Sequence, residues 1–302
     1  MRILMHYTFF ILLVTLTASL VACDSGVSKV TQEQKITQEQ KNDDHFDKAV
    51  TLLNKGGIEN VTLAIKELEQ SAKQGNSEAL YNLGTIYQYG KAGQIDYKKA
   101  LDYYLLAAEK NHLIATHNIG ILYQFGLGVK QDYSEAYKWY KRAANQNLPM
   151  SINAIGALYS KGFGVKQDEK QAFQYFKRAA ELGDSTGAYN LASSYENGKG
   201  IPKDGKQAFH WLNIAAKGNQ PSAQNNLAGY YLRGNIVAKD EKQAFYWYKK
   251  SAEQGVSQAQ YNLAMMYEKG KGTPKNLEKA KTWYLNAAAQ GDSDALKKAK
   301  AL

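Results

Sequence analysis

Residues 115–150 read ATHNIGILYQFGLGVKQDYSEAYKWYKRAANQNLPM, and this stretch decides the fold. Its apolar residues Ala115, Ile119 and Tyr123, then Ala136, Trp139, Tyr140, Ala143 and Ala144, fall three or four apart. That spacing lines one face of an α-helix. Between the two runs lies Gly126-Leu127-Gly128-Val129, a stop for the first helix, because glycine accepts the left-handed conformation at a helix end. Asp132 then caps a second helix, and Glu135 three residues on completes a capping box. The stretch is a helix, a turn and a second helix.

The same unit recurs on both sides at a fixed step of 36 residues, without insertion or deletion. Tyr87, Tyr123, Tyr159, Tyr195, Tyr231 and Tyr267 keep that step, as do Ala100, Ala136, Ala172, Ala208, Ala244 and Ala280, and Ala108 through Ala288. Pro202 and Pro274 stand at the position of Lys130, where a continuous helix would break. Asp96, Asp132, Asp168, Asp204, Asp240 and Asn276 share the capping position, and Gln171, Gln207 and Gln243 join Glu135 in the capping-box position. Helix capping, not a metal or catalytic series, explains these carboxylates. Gly84, Gly120 and Gly156 on the first helix let helices approach closely. Tyr103, Trp139, Tyr175, Trp211, Trp247 and Trp283 supply an aromatic stripe that fills the space between them. A period of roughly 20–50 residues marks a solenoid of stacked units, whose product is an extended binding surface rather than a deep pocket.

The pattern Ala-x-x-x-Leu-Gly-x-x-Tyr-x-x-Gly-x-Gly-Val-x-x-Asp-x-x-x-Ala-x-x-Trp-Tyr-x-x-Ala-Ala resembles the Sel1-like repeat family, related to tetratricopeptide repeats. The resemblance covers residues 79–294 as six units and implies an all-α fold, a right-handed α-solenoid of stacked helix-turn-helix repeats. A degenerate unit at 43–78 keeps the register through Ala64, Leu68, Ala72 and Gly75, and residues 295–302 read as a C-terminal capping helix.

The chain opens with Met1-Arg2, an apolar run from Phe9 to Val21, and Leu20-Val21-Ala22-Cys23. The run is short for a membrane span and suits a secretory signal. Leu-Val-Ala-Cys resembles the lipobox of bacterial lipoproteins. That resemblance implies a signal peptide at 1–22, lipidation at Cys23 and a membrane-anchored protein of the bacterial envelope, facing the periplasm. Asp24 resembles an inner-membrane retention signal. Residues 23–42, with the near-duplicates 31–35 and 37–41, are expected to be a flexible tether spanning roughly 25 Å. Cys23 is the only cysteine, so disulfides and multi-cysteine metal sites are excluded and the cysteine-rich branch of the family is not the model.

Beyond residue 42 the chain holds 34 basic and 25 acidic side chains, a net +9, which favours anionic partners. Nucleic acid is not expected, for no binding motif is present. Nor is there Gly-x-Ser-x-Gly, His-Glu-x-x-His or a phosphate loop with its lysine, and, His45 and His117 apart, the histidines share no repeat position. The expectation is a non-enzymatic protein with no metal, no cofactor and no small-molecule substrate.

In tetratricopeptide-like solenoids the first helix of each unit lines the inner groove. There the chain carries Asn82, Asn118, Asn190, Asn226 and Asn262, with Ala154 breaking the series. A carboxamide donates and accepts, so this ladder can grip an extended peptide backbone, or it can bond neighbouring helices. One residue earlier stand Tyr81, His117, Tyr189 and Tyr261, with Asn153 and Asn225. A further turn along come Tyr89, Phe125, Lys161, Asn197, Arg233 and Lys269, preceded by Gln88, Gln124, Ser160, Glu196, Leu232 and Glu268. Side chains that change over a constant scaffold suit a specific binding surface. The resemblance implies an envelope scaffold that holds a protein partner, or an immunity protein that neutralises a toxic effector such as a secreted phospholipase.

Overall fold

The computed structural model describes residues 43–302, which form fifteen α-helices and no strand. The expected signal peptide, Cys23, Asp24 and the tether lie outside the described residues. Six first helices, α3 (Ser77–Gln88), α5 (Leu113–Phe125), α7 (Pro149–Lys161), α9 (Ser185–Asn197), α11 (Pro221–Arg233) and α13 (Ser257–Lys269), alternate with six second helices. The latter are α4 (Tyr97–Glu109), α6 (Tyr133–Ala144), α8 (Glu169–Glu181), α10 (Gly205–Lys217), α12 (Glu241–Glu253) and α14 (Leu277–Ala288). From residue 58 onward each helix packs on the next in sequence, which makes an α-solenoid. First helices also touch across repeats, α3 with α5 and α7 with α9. The first helices therefore lie on the tighter side of the stack.

Each turn between paired helices has the same local chemistry. Gly126 ends α5 at φ 67°, ψ 37°, and its N–H donates to the Leu122 carbonyl. The Asp132 carboxylate accepts from the Ser134 and Glu135 amides at 2.8 and 3.0 Å, as an N-cap should. The reciprocal arm of the expected capping box is replaced: the Asp132 amide donates to the Tyr123 carbonyl at 2.9 Å. The same bond runs from Asp96 to Tyr87, Asp168 to Tyr159, Asp204 to Tyr195, Asp240 to Tyr231 and Asn276 to Tyr267. A donor already satisfied by this bond has no use for the Glu135 carboxylate, which bonds Lys138 instead.

The second glycine of the turn serves the neighbouring repeat. A Cβ on Gly128 would lie 2.6 Å from the Tyr97 carbonyl carbon at the start of α4, one repeat back. The fifth repeat carries Ile236 at this position, and there the residue it meets is Gly205. The missing side chain has changed sides of the contact.

Between paired helices the small residues sit under rings. A Cβ on Gly120 would lie 2.5 Å from Cε1 of Tyr140, and one on Gly156 2.7 Å from Cε1 of Phe176. Tyr104, Tyr140 and Tyr284 are fully buried, as are the alanines of the second helices. The aromatic stripe is only half-buried except at Trp247, with Tyr103 stacked on Tyr87 and Tyr175 on Tyr159.

At the amino end α1 (Asp44–Lys55) and α2 (Ile58–Lys73) are joined by Gly56-Gly57 alone, both at positive φ. Glu67 on α2 accepts from Lys48 and pairs with His45 Nδ1 at 2.6 Å, and these bonds hold its carboxyl below the usual range. At the other end α15 (Ser293–Ala301) starts from an Asp292 cap, two residues before the expected start of the capping helix.

Candidate interaction face

Helical spacing carries Asn82 to Glu78, Thr85 and Tyr89 along one side of α3. In every repeat these four positions form the outward side of the first helix. The first and last of them are mostly exposed, as in Ile114 (39%), Phe125 (60%), Met150 (37%) and Tyr89 (51%). Lys161, Asn197, Arg233 and Lys269 are exposed at the position of Tyr89. Reading the sequence missed Ile114, Ile121, Met150 and Ala157, which share this side with Asn118 and Ala154. Steps of three and four residues from the asparagines would have found them.

The asparagines stand half-buried along this side. Asn82 Nδ2 donates to the Glu78 carbonyl at 2.9 Å, and Asn118 lies against the Tyr104 hydroxyl. Asn190 Nδ2 donates to Asn153 Oδ1 at 2.8 Å, one repeat away. Asn262 Nδ2 donates to Asn225 Oδ1 at 3.2 Å, and Asn225 Nδ2 to Asn226 Oδ1 at 3.1 Å. The ladder thus ties repeats together while keeping hydrogen-bonding capacity for a ligand, because each carboxamide supports several bonds.

The residues one step earlier turn into the seams between repeats. Tyr81 stacks on His112, the N-cap of α5, centroids 4.6 Å apart. His117 is buried; its Nδ1 lies 2.8 Å from Ser151 Oγ of the next repeat, and its ring packs on Tyr140. Burial lowers its pKa from 6.5 to about 4, so at neutral pH it carries no charge. Tyr261 meets Tyr284 edge-on, and Tyr189 packs half-buried on the core. These four supply packing rather than a free surface, and His117 is withdrawn from contact with any partner.

The position of Gln88 also faces inward. Gln88 Oε1 accepts from the Tyr104 hydroxyl at 2.5 Å, Gln124 Oε1 from Tyr140 at 2.7 Å and Glu268 Oε2 from Tyr284 at 2.6 Å. Where Phe176 has no hydroxyl, Ser160 stands instead and bonds Glu169. In three repeats the residue here answers a buried tyrosine hydroxyl, whereas Leu232 offers Tyr248 no acceptor and the exposed Glu196 bonds Tyr230 one repeat on.

Among the described residues Lys161, Arg233 and Lys269 form no ion pair. Glu268, beside Lys269, is committed to Tyr284 and to Lys298 at 3.1 Å. The Arg233 guanidinium lies 5.1 Å over the Tyr230 ring, whose hydroxyl donates to Glu196 at 3.2 Å and whose pKa burial pushes up to about 12.

Two clefts open on the turn side. One of 460 Å³ is lined by Tyr195, Pro202, Lys203, Asp204 and Trp211, the other of 630 Å³ by Tyr123, Lys130, Asp132 and Tyr133. In both the aspartate is spent on capping. The described residues contain no cluster of metal-binding side chains and no helix long and apolar enough to cross a membrane.

The Sel1 repeat model matches residues 77–112, 113–148, 149–184, 185–220, 221–256 and 257–292. A Sel1 repeat protein of Oxalobacter formigenes is 31% identical, with a TM-score of 0.74 over 81% of this chain and 99% of that one. A protective antigen of uropathogenic Escherichia coli strains is 32% identical, with a TM-score of 0.64 over 90% of this chain. The chain spans 59% of that antigen's length. An immunity protein of Pseudomonas aeruginosa shares the fold at 21% identity, with a TM-score of 0.50 over 70% of this chain and 81% of that one. No curated protein matches. With six matched repeats covering most of its 302 residues, the chain belongs to the Sel1 repeat family.

Proposed function

We propose that this protein is a non-enzymatic scaffold of the bacterial envelope, lipid-anchored at Cys23 and facing the periplasm, that holds a protein partner along the outward side of its first helices. One observation carries the reading. Three of those four positions change along the stack, from Ile114, Ile121 and Phe125 to Ser222, Gly229 and Arg233, while the second keeps asparagine in all repeats but the one with Ala154 and the residues beneath keep one packing scheme. A surface that varies over a constant scaffold has been fitted to something. The apolar run before Cys23 supports the anchor, and Asp24 supports the inner membrane.

The test is a crosslinked pull-down from native envelopes with the full chain and a variant carrying Asn82→Ala, Asn118→Ala, Asn190→Ala and Asn226→Ala, matched by melting temperature. Loss of a partner from the variant supports binding along this face, and equal capture by both baits refutes it. The likeness to an immunity protein at 21% identity carries the fold alone, yet it makes a second reading concrete. Recovery of a single toxin-like protein would establish immunity, whereas wall or export components would establish the adaptor.

A further inference from the structure

The outward side of the first helices is not uniform along the stack. Its second and third repeats present a mainly apolar station: Ile114, Phe125 and Met150 are 39%, 60% and 37% exposed, with Ile121, Ala154 and Ala157 on the same side and Lys161 its one charge. The asparagine ladder breaks here, at Ala154. Ile114 begins α5 and Phe125 ends it, about 16 Å apart, so these side chains form an apolar strip, costly to leave in water and suited to a contact site.

The fourth to sixth repeats present the opposite chemistry. Thr186, Asn190, Ser193, Ser222 and Asn226 lead to Arg233 and then to Lys269. Arg233 is held rather than loose. Gly229 leaves room for it, since a Cβ there would lie 3.1 Å from Nη1, and the guanidinium rests on the Tyr230 ring. The nearby Glu196 accepts from the Tyr230 hydroxyl and forms no ion pair with it. A positioned guanidinium without a carboxylate partner offers its N–H donors to one. At the far end Glu78 is the only carboxylate at these positions, and it disfavours an acidic group there.

Resting on the scaffold reading above, we infer that the segment this face receives is an extended stretch of protein with an apolar or aromatic anchor at one end and carboxylates at the other. The anchor seats along the strip that runs from Ile114 and Met150 to Phe125, and the carboxylates on Arg233 and Lys269. The carboxamides between them bond its backbone, which fixes an extended rather than a helical form. A uniform polyanion fits poorly, because the position of Arg233 holds Tyr89 and Phe125 in the first two repeats and Asn197 in the fourth.

The test uses the purified full chain and fluorescent synthetic peptides with apolar and glutamate ends, joined by glycine–serine spacers of several lengths. One control series replaces glutamate by lysine and another replaces the apolar end by serine. The parent series should bind about tenfold tighter than either control, a difference of one charge-assisted contact or one buried ring. Arg233→Glu should remove about tenfold for the parent and restore binding to the lysine series, and Phe125→Asp should weaken the series that keep the apolar end and leave the serine series unchanged. Both side chains are exposed, so melting should not move.

Equal binding of parent and lysine peptides, equal binding of the serine series, or no binding at any spacer length would each overturn the assignment. If the native partner is still captured by Arg233→Glu and Phe125→Asp but lost with the asparagine variant, this chemistry is wrong and the scaffold reading stands. If the asparagine variant captures it too, the scaffold reading falls with it.

Discussion

His117 shows how a single side chain can answer to the fold rather than to a ligand. Buried against Tyr140 and bonded to Ser151, it is held neutral with a pKa lowered from 6.5 to about 4. The unfolded chain takes up a proton near pH 6.5 and the folded chain does not. The stabilisation is therefore complete above that pH and lost as pH falls toward 4, a total of about 3 kcal/mol. Urea unfolding of His117→Gln at several pH values should show a smaller fall between pH 6.5 and 4.5 than the parent; parallel curves would disprove the account. The variability of this position was visible in the sequence, but its cause was not. Tyr81, His117 and Tyr261 differ because each packs on a different partner, His112, Ser151 and Tyr284 in turn, and a chain read alone cannot separate that from variation at a surface.

At the scale of the element, glycines in the turn within a repeat and in the turn to the next repeat have separate duties. Gly128 sits at φ 70° against the backbone of the preceding repeat, whereas Gly183 sits at φ 89° with nothing nearby. Gly183→Ala should cost only the left-handed strain, about 1–2 kcal/mol. Gly128→Ala should cost about 2 kcal/mol more for overpacking, and equal losses on chemical denaturation would contradict the stacking role of Gly128. The α1 helix depends on a different device, because Glu67 gathers both His45 and Lys48 while a glycine pair makes the only covalent turn. Glu67→Gln should raise amide exchange throughout Asp44–Lys55 and leave α5 to α13 unchanged. Uniform loosening of the whole chain would show that α1 is an integral part of the stack.

For the whole molecule, the fold was legible because one set of demands recurs every 36 residues. A left-handed residue must end each first helix, an aspartate or asparagine must cap each second one, and a small residue must face each ring. The spacing of Gly126, Asp132 and Gly120 states all of these. The bond from the Asp132 amide to the Tyr123 carbonyl was illegible, since a backbone acceptor leaves no trace in residue type. The interaction face was half legible: the asparagines, Phe125 and Arg233 stood out by type, but only their helical neighbours Ile114, Ile121 and Met150 turn them into two stations of different chemistry.

The central claim is that the partner lies on the outward side of the first helices, and photo-crosslinking in native cells tests it most directly. A photoreactive residue would replace Ile121 on α5 in one variant and the exposed Lys138 on α6 in another. The account predicts a protein adduct from position 121 and none from position 138. An adduct formed only from position 138 would place the partner on the second helices and contradict it.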